Sequence, residues 1–154
     1  MPGNWDEVIR IYGENFELVH SVQINQLGDT ALHFAISYGQ DRLVEKLVKI
    51  IFDKNKEVLK RKKKKKRNTP LHMAASMRTL KMCIWIAKAD PSLGIARNED
   101  GETPILLEAL QGERDIFLQL HSICCCKQND SYYRKNSGET ILHCHQEGLL
   151  GWAF

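Results

Sequence analysis

The sequence predicts an all-α fold, a short solenoid of stacked helix–turn–helix units joined by loops. Three observations predict it. One hexapeptide pattern occurs four times in the 154 residues: Gly28-Asp29-Thr30-Ala31-Leu32-His33, Arg67-Asn68-Thr69-Pro70-Leu71-His72, Gly101-Glu102-Thr103-Pro104-Ile105-Leu106 and Gly138-Glu139-Thr140-Ile141-Leu142-His143. Its threonines stand 39, 34 and 37 residues apart, too far for one helix and right for a helical hairpin plus a loop. An apolar stripe returns 13, 14 and 17 residues after each of the first three threonines, as Leu43, Val44, Leu47, then Met82, Cys83, Ile86, then Ile116, Phe117, Leu120. The spacing i, i+1, i+4 is one face of a helix.

The elements follow in chain order. Trp5, Val8, Ile9 and Tyr12 form one helical stripe, so residues 4–13 read as an outer helix without an inner partner. They belong to an N-terminal capping half-repeat over residues 1–27, with 14–27 as connection. The array occupies 28–154, with units near 28–59, 68–100 and 101–137, a partial unit at 138–154, and a basic insertion loop at 60–67. In each unit the threonine is the expected N-cap. Pro70 and Pro104 then fall at the first helical position, where a missing N–H costs nothing. Ala35, Ala74, Ala75 and Ala109 let helices approach closely, and Gly39 and Gly112 suit a left-handed helix stop.

Three departures stand out. Arg67 and Arg78 replace the glycines of the other units, so the second unit either relaxes its turns or is locally weaker. Glu108 stands among small residues, where it is expected to find a partner or tilt to water. The fourth unit loses the pattern at His145. Its ending, with Leu149, Leu150, Trp152 and Phe154, is expected to be the least protected apolar segment.

Thr69, Pro70, Leu71, His72, Met73 and Ala74 carry the pattern Thr-Pro-Leu-His-x-Ala, and this resembles the ankyrin repeat. The wording NTPLHMAASM at 68–77, DPSLGIARN at 90–98 and GETILHC at 138–144 resembles plant ankyrin proteins that carry a C-terminal membrane region, the PGG domain. That family is membrane-associated and linked to stress and defence signalling. The chain resembles its ankyrin part only and reads as truncated. The resemblance implies a finger followed by two antiparallel helices in each unit, and a histidine that bonds between adjacent repeats. It also implies a protein partner, bound by finger tips and the concave inner-helix face. Here the tips would be Asn25, Gln26, Asn98, Glu99, Lys135 and Asn136, and the face Tyr38, Met77 and Gln111.

Charge sharpens the picture. Of 22 basic residues, eight are consecutive: Lys60, Arg61, Lys62, Lys63, Lys64, Lys65, Lys66 and Arg67. Without them 14 positive residues remain against 19 negative, a mildly acidic body unlike a dedicated nucleic-acid binder. Eight like charges cannot be desolvated together, so the run is expected to be exposed and mobile, with Lys62 to Lys66 replaceable at little cost to folding. The alternative function is an anionic-membrane or nucleic-acid contact, or nuclear targeting, through this run.

Catalysis and cofactors find no support. His33, His72 and His143 share one repeat column, which marks architecture. Cys124, Cys125 and Cys126 lack the spacing of a structural zinc site. No phosphate loop or nucleophile motif occurs, so the chain is read as no enzyme, with no metal and no cofactor. No run approaches the roughly 18 apolar residues of a membrane helix. There is no secretory signal, Pro2 excludes myristoylation, and the five cysteines read as reduced thiols. These features point to the cytoplasm, with the nucleus as the alternative.

Overall fold

The computed structural model describes residues 4–64 and 66–126, and among them there are helices, turns and loops but no strands. The second unit's start shows how the hexapeptide sets each inner helix. Thr69 holds an extended N-cap conformation and its Oγ1 accepts from the His72 N–H at 3.4 Å. Pro70 follows at the first helical position. The inner helices α3 (Ala31–Ser37), α5 (Pro70–Ser76) and α7 (Pro104–Gln111) all begin directly after the pattern threonine.

The outer helices are α4 (Asp41–Lys54), α6 (Leu80–Ala89) and α8 (Arg114–His121), preceded by α1 (Trp5–Glu14) and the one-turn α2 (Phe16–Val19). α3 with α4, α5 with α6, and α7 with α8 form hairpins. The inner helices pack in one row, and α1, α4, α6 and α8 pack in a second. The expected outer-helix stripes are all buried. Leu32, Leu71 and Ile105 fill the interface from the inner row, each contributing about 1.5–3 kcal/mol by leaving water.

Two expectations are corrected at the N-terminus. Val8 is exposed, and the stripe facing the core is Trp5, Ile9, Tyr12 and Phe16, at intervals of four, three and four. The segment after α1 is also more than a connection, because α2 buries Phe16 almost completely and stacks it on His20.

Outer helices α4 and α6 end at Asn55 and Asp90, whose side chains cap 3-10 turns over Lys56–Lys60 and Pro91–Ile95. The second turn meets the wide turn Ser122–Cys126 after α8. A Cβ on Gly94 would lie 2.5 Å from Cys124 Sγ, so glycine is needed there for contact between units. Inner and outer helices are separated by left-handed residues: Gly39 at φ 63°, Gly112 at φ 73° and Arg78 at φ 54°. The second unit's turn therefore does not relax around its arginine.

Candidate functional site

Three fingers connect the units. Each is closed by a backbone bond: Ile24 N–H to the Asp29 carbonyl (2.7 Å), Lys63 N–H to Asn68 (3.0 Å), and Asn98 N–H to Glu102 (3.0 Å). Single bonds join neighbours. The Lys64 N–H donates to the Leu27 carbonyl at 3.0 Å, and the Glu99 N–H donates to the Lys66 carbonyl at 2.9 Å. The fingers thus form a ladder that holds their tips in fixed register.

Fingers one and three are built alike. Asn25 Oδ1 accepts the N–H groups of Leu27 and Asp29, and Asn98 Oδ1 accepts that of Glu102. Gly28 and Gly101 follow in the left-handed region at φ 80° and 79°. Finger two has Lys64 and Arg67 in these places. Its tip places Lys66 (φ 63°) and Arg67 (φ 53°) consecutively in left-handed conformations, at about 1–2 kcal/mol each.

The basic run is exposed at every described position but Lys63, and several of its charges are engaged within the array. Lys63 is largely buried and its Nζ lies 2.7 Å from Asp29 Oδ1. Burial pushes the Asp29 carboxyl up, but Lys63 and Asn25 outweigh it and hold it below its usual range. Lys60 lies 2.9 Å from Glu57 and 3.8 Å from Asp90, Lys62 Nζ donates to the Arg97 carbonyl at 2.8 Å, and Lys66 lies 3.5 Å from Asp100. The like charges coexist because carboxylates from both neighbouring units are interleaved with them. Arg61, Lys64 and Arg67 are exposed. Lys65 lies outside the described residues.

The expected contact residues divide. Asn25, Gln26 and Glu99 are exposed on finger tips, although the Asn25 side chain is already engaged in its own finger. Asn98 is buried, with Nδ2 donating to Asn68 Oδ1 and Glu102 Oε2, both at 3.0 Å. It shapes the finger and offers no tip contact, because its amide is turned inward onto Asn68 of the neighbouring finger and Glu102 of its own. Tyr38 and Met77 are exposed at equivalent ends of α3 and α5. Gln111 is half-buried and accepts from Arg78 Nε at 3.1 Å, while Arg78 also pairs with Glu113 at 3.2 Å. Lys135, Asn136, His143 and the ending at 145–154 lie outside the described residues.

The shared histidines are buried beneath the fingers. The Thr30 and Thr69 N–H groups donate to Nδ1 of His33 and His72 at 3.3 and 3.2 Å, a capping box with imidazole in the acid's place. With Nδ1 accepting, the proton sits on Nε2. That of His72 donates to the Glu102 carbonyl of the next finger at 3.1 Å. Burial lowers both pKa values, that of His33 to about 4. The matching His33 Nε2 is buried outside hydrogen-bond geometry, although the Asn68 and Arg61 backbones are near enough to oppose the fall.

Glu108 overturns its expectation. It is fully buried, and neither carboxyl oxygen has a hydrogen-bond partner. Burial, and then the Glu113 charge, raise its pKa to about 8 despite Arg78. It sits in the repeat column of Ala35 and Ala74, where the space between inner and outer helices admits little water.

One feature escaped sequence reasoning. A recess of about 180 Å³ opens between fingers one and two, lined by Leu27, Lys63, Lys66 and Asn68. The signal for it was Leu27, an apolar residue at the tip position that Lys66 and Asp100 fill in the other fingers.

A family model described as ankyrin repeats (3 copies) matches residues 11–95, more than half of the 154. The chain belongs to the ankyrin-repeat family. Its third ankyrin unit, α7 with α8, lies beyond the matched segment and repeats the same hairpin. Ankyrin repeats mediate protein–protein interaction. No curated protein matches the chain. Among the described residues of this ankyrin array, no helix is long and apolar enough to cross a membrane, and no group of three His, Cys, Asp or Glu residues could hold a metal ion.

Proposed function

We propose that the chain is a non-catalytic ankyrin module that binds another protein through its finger row and the ends of its inner helices. The observation that carries this is the exposure of Tyr38 and Met77, 64% and 48%, at equivalent C-terminal ends of inner helices that pack side by side. Exposed aromatic and Met side chains on a fixed scaffold make good binding anchors, because little freedom is lost on contact. Gln111 extends the row, though Arg78 already occupies its side-chain oxygen.

The reading is tested by cross-linking the intact chain to partners in a cell extract. Tyr38→Ala with Met77→Ala is expected to abolish the main adduct while leaving the melting temperature unchanged. Undiminished adducts would move the binding face elsewhere. The phrases at 68–77, 90–98 and 138–144 support a place in plant stress or defence signalling, in the cytoplasm or nucleus. A stress-dependent change in the captured partner is the measurement that bears on this. Nuclear targeting or polyanion contact through 60–67 is the weaker reading, because Lys60, Lys62, Lys63 and Lys66 are engaged within the array.

A further inference from the structure

We propose that the tip of finger two is a docking surface for an acidic segment of the partner protein, with a carboxylate seated in the recess between fingers one and two. This rests on the reading of the chain as a protein-binding module and names the chemistry of what it binds.

Three observations converge. First, the tip keeps cations where the fold favours other residues. Asn25 and Asn98, and Gly28 and Gly101, build fingers one and three, whereas finger two has Lys64 and Arg67 and holds Lys66 and Arg67 left-handed. Retained backbone strain is a pointer to function when the strained side chain has no structural task. Among the described residues Arg67 meets that condition, being left-handed and in no ion pair, and Lys64 adds a second cation in no ion pair on unstrained backbone. Second, the tip is preorganised. Backbone bonds from Lys64 to Leu27 and from Glu99 to Lys66 fix finger two on both sides, so its charges need little ordering on contact. Third, the recess is lined by Leu27, Lys63, Lys66 and Asn68, which offers an apolar wall for an aliphatic stem and the Lys66 ammonium for the oxygens, since Lys63 is already paired with Asp29. Among the described residues the Lys66 ammonium has one ion pair, an exposed contact of 3.5 Å to Asp100, which an incoming carboxylate can displace.

The surroundings favour a peptide over an extended polyanion. Finger three, tied directly to finger two, carries Glu99 and Asp100 in exposed positions. A membrane plane or a nucleic-acid backbone reaching finger two would meet those carboxylates, and the rest of the chain is net negative. A short acidic segment can lie along fingers one and two and avoid them. Its approach would be steered by charge and weakened by salt.

The test uses the full chain and a fluorescein-labelled peptide of alternating Glu and Ser, read by anisotropy. Vesicles containing phosphatidylserine and duplex DNA serve as competitors. Lys64→Ser with Arg67→Gly is expected to weaken peptide binding about tenfold without lowering the melting temperature, since Arg67→Gly removes a left-handed arginine. Loss of binding therefore cannot be blamed on unfolding. Peptide binding that ignores the double variant overturns the proposal, as does tighter binding of vesicles or DNA through the same residues. The cross-linking assay separates the two readings. An adduct lost with the Tyr38 and Met77 changes but kept in the finger variant sinks this proposal and leaves the module standing. An adduct indifferent to both sets of changes sinks the module reading as well.

Discussion

In unit two, Arg67 and Arg78 occupy left-handed positions that Gly101 and Gly112 occupy in unit three. In unit three, Glu108 occupies the tight interior place that Ala74 occupies in unit two. The two neighbours depart from one pattern at complementary points, one in its turns and one in its interior. Turn strain is local, and exposed side chains can still do something with their position. A buried carboxyl in an alanine column offers nothing to solvent and changes how stability depends on pH. The first kind of departure is a candidate for function, and the second is a weak point in packing.

The largest expected effect follows from Glu108. Its pKa in the fold, about 8, lies above its ordinary value of 4.5. Folding therefore favours the protonated form, and stability falls as pH rises from 4.5 through 8. His33 and His72 act on the other side. Their pKa values are lowered, so stability falls as pH drops below about 6.5, and for His33 it goes on falling to about 4. Glu108→Ala should stabilise the chain by roughly 3 kcal/mol at pH 9 and much less at pH 5. Urea melts at both values check this. An equal effect at the two pH values would mean that Glu108 is ionised and paired at neutral pH.

Finger two gives the next effect. Lys63→Ser leaves Asp29 buried without its cation and should cost about 2 kcal/mol. The same change at Lys64 should cost under about 0.5 kcal/mol. Thermal melts that fail to separate the two positions would return the run to a uniformly solvated loop.

The glycines separate finger one from finger three. A Cβ on Gly28 would lie 3.1 Å from the Lys64 backbone nitrogen, whereas one on Gly101 meets nothing within 4 Å. Gly28→Ala is expected to cost about 2 kcal/mol or more, combining conformation and crowding, and Gly101→Ala about 1 kcal/mol. Equal costs would show that finger two yields freely to its neighbour.

The smallest effects run the other way. Arg67→Gly should stabilise by about 1 kcal/mol. Arg78→Gly should gain less, because it also removes the contacts to Gln111 and Glu113. A loss of stability at position 67 would mean that the arginine side chain stabilises finger two.

What the sequence makes legible is what repeats. Thr30, Thr69 and Thr103 recur in register, so helix starts and buried stripes could be placed from them. Phe16 and α2 occur once, and no column announces them. Val8 was misassigned because neighbouring positions on a helix differ by only part of a turn. The candidate site divides along the same line. The equivalent places of Tyr38 and Met77 follow from their equal distance after threonine. The partnerships of Lys63 with Asp29 and of Lys62 with Arg97 cross between units, and a linear reading of eight charges has no access to them. Asn98 looked like a tip residue for the same reason, since its bonds to Asn68 and Glu102 require two fingers side by side.

The hydrogen bond from His72 Nε2 to the Glu102 carbonyl makes one imidazole a resident spectroscopic probe. Its proton is held by an acceptor 30 residues away, so fraying of the third unit would release it before the second unit melts. The ring nitrogen shifts of His72 and their exchange broadening in NMR would then report the folding of its neighbour from inside the stack. The hand-over runs in chain order, the second unit registering the state of the third, and it needs no attached label.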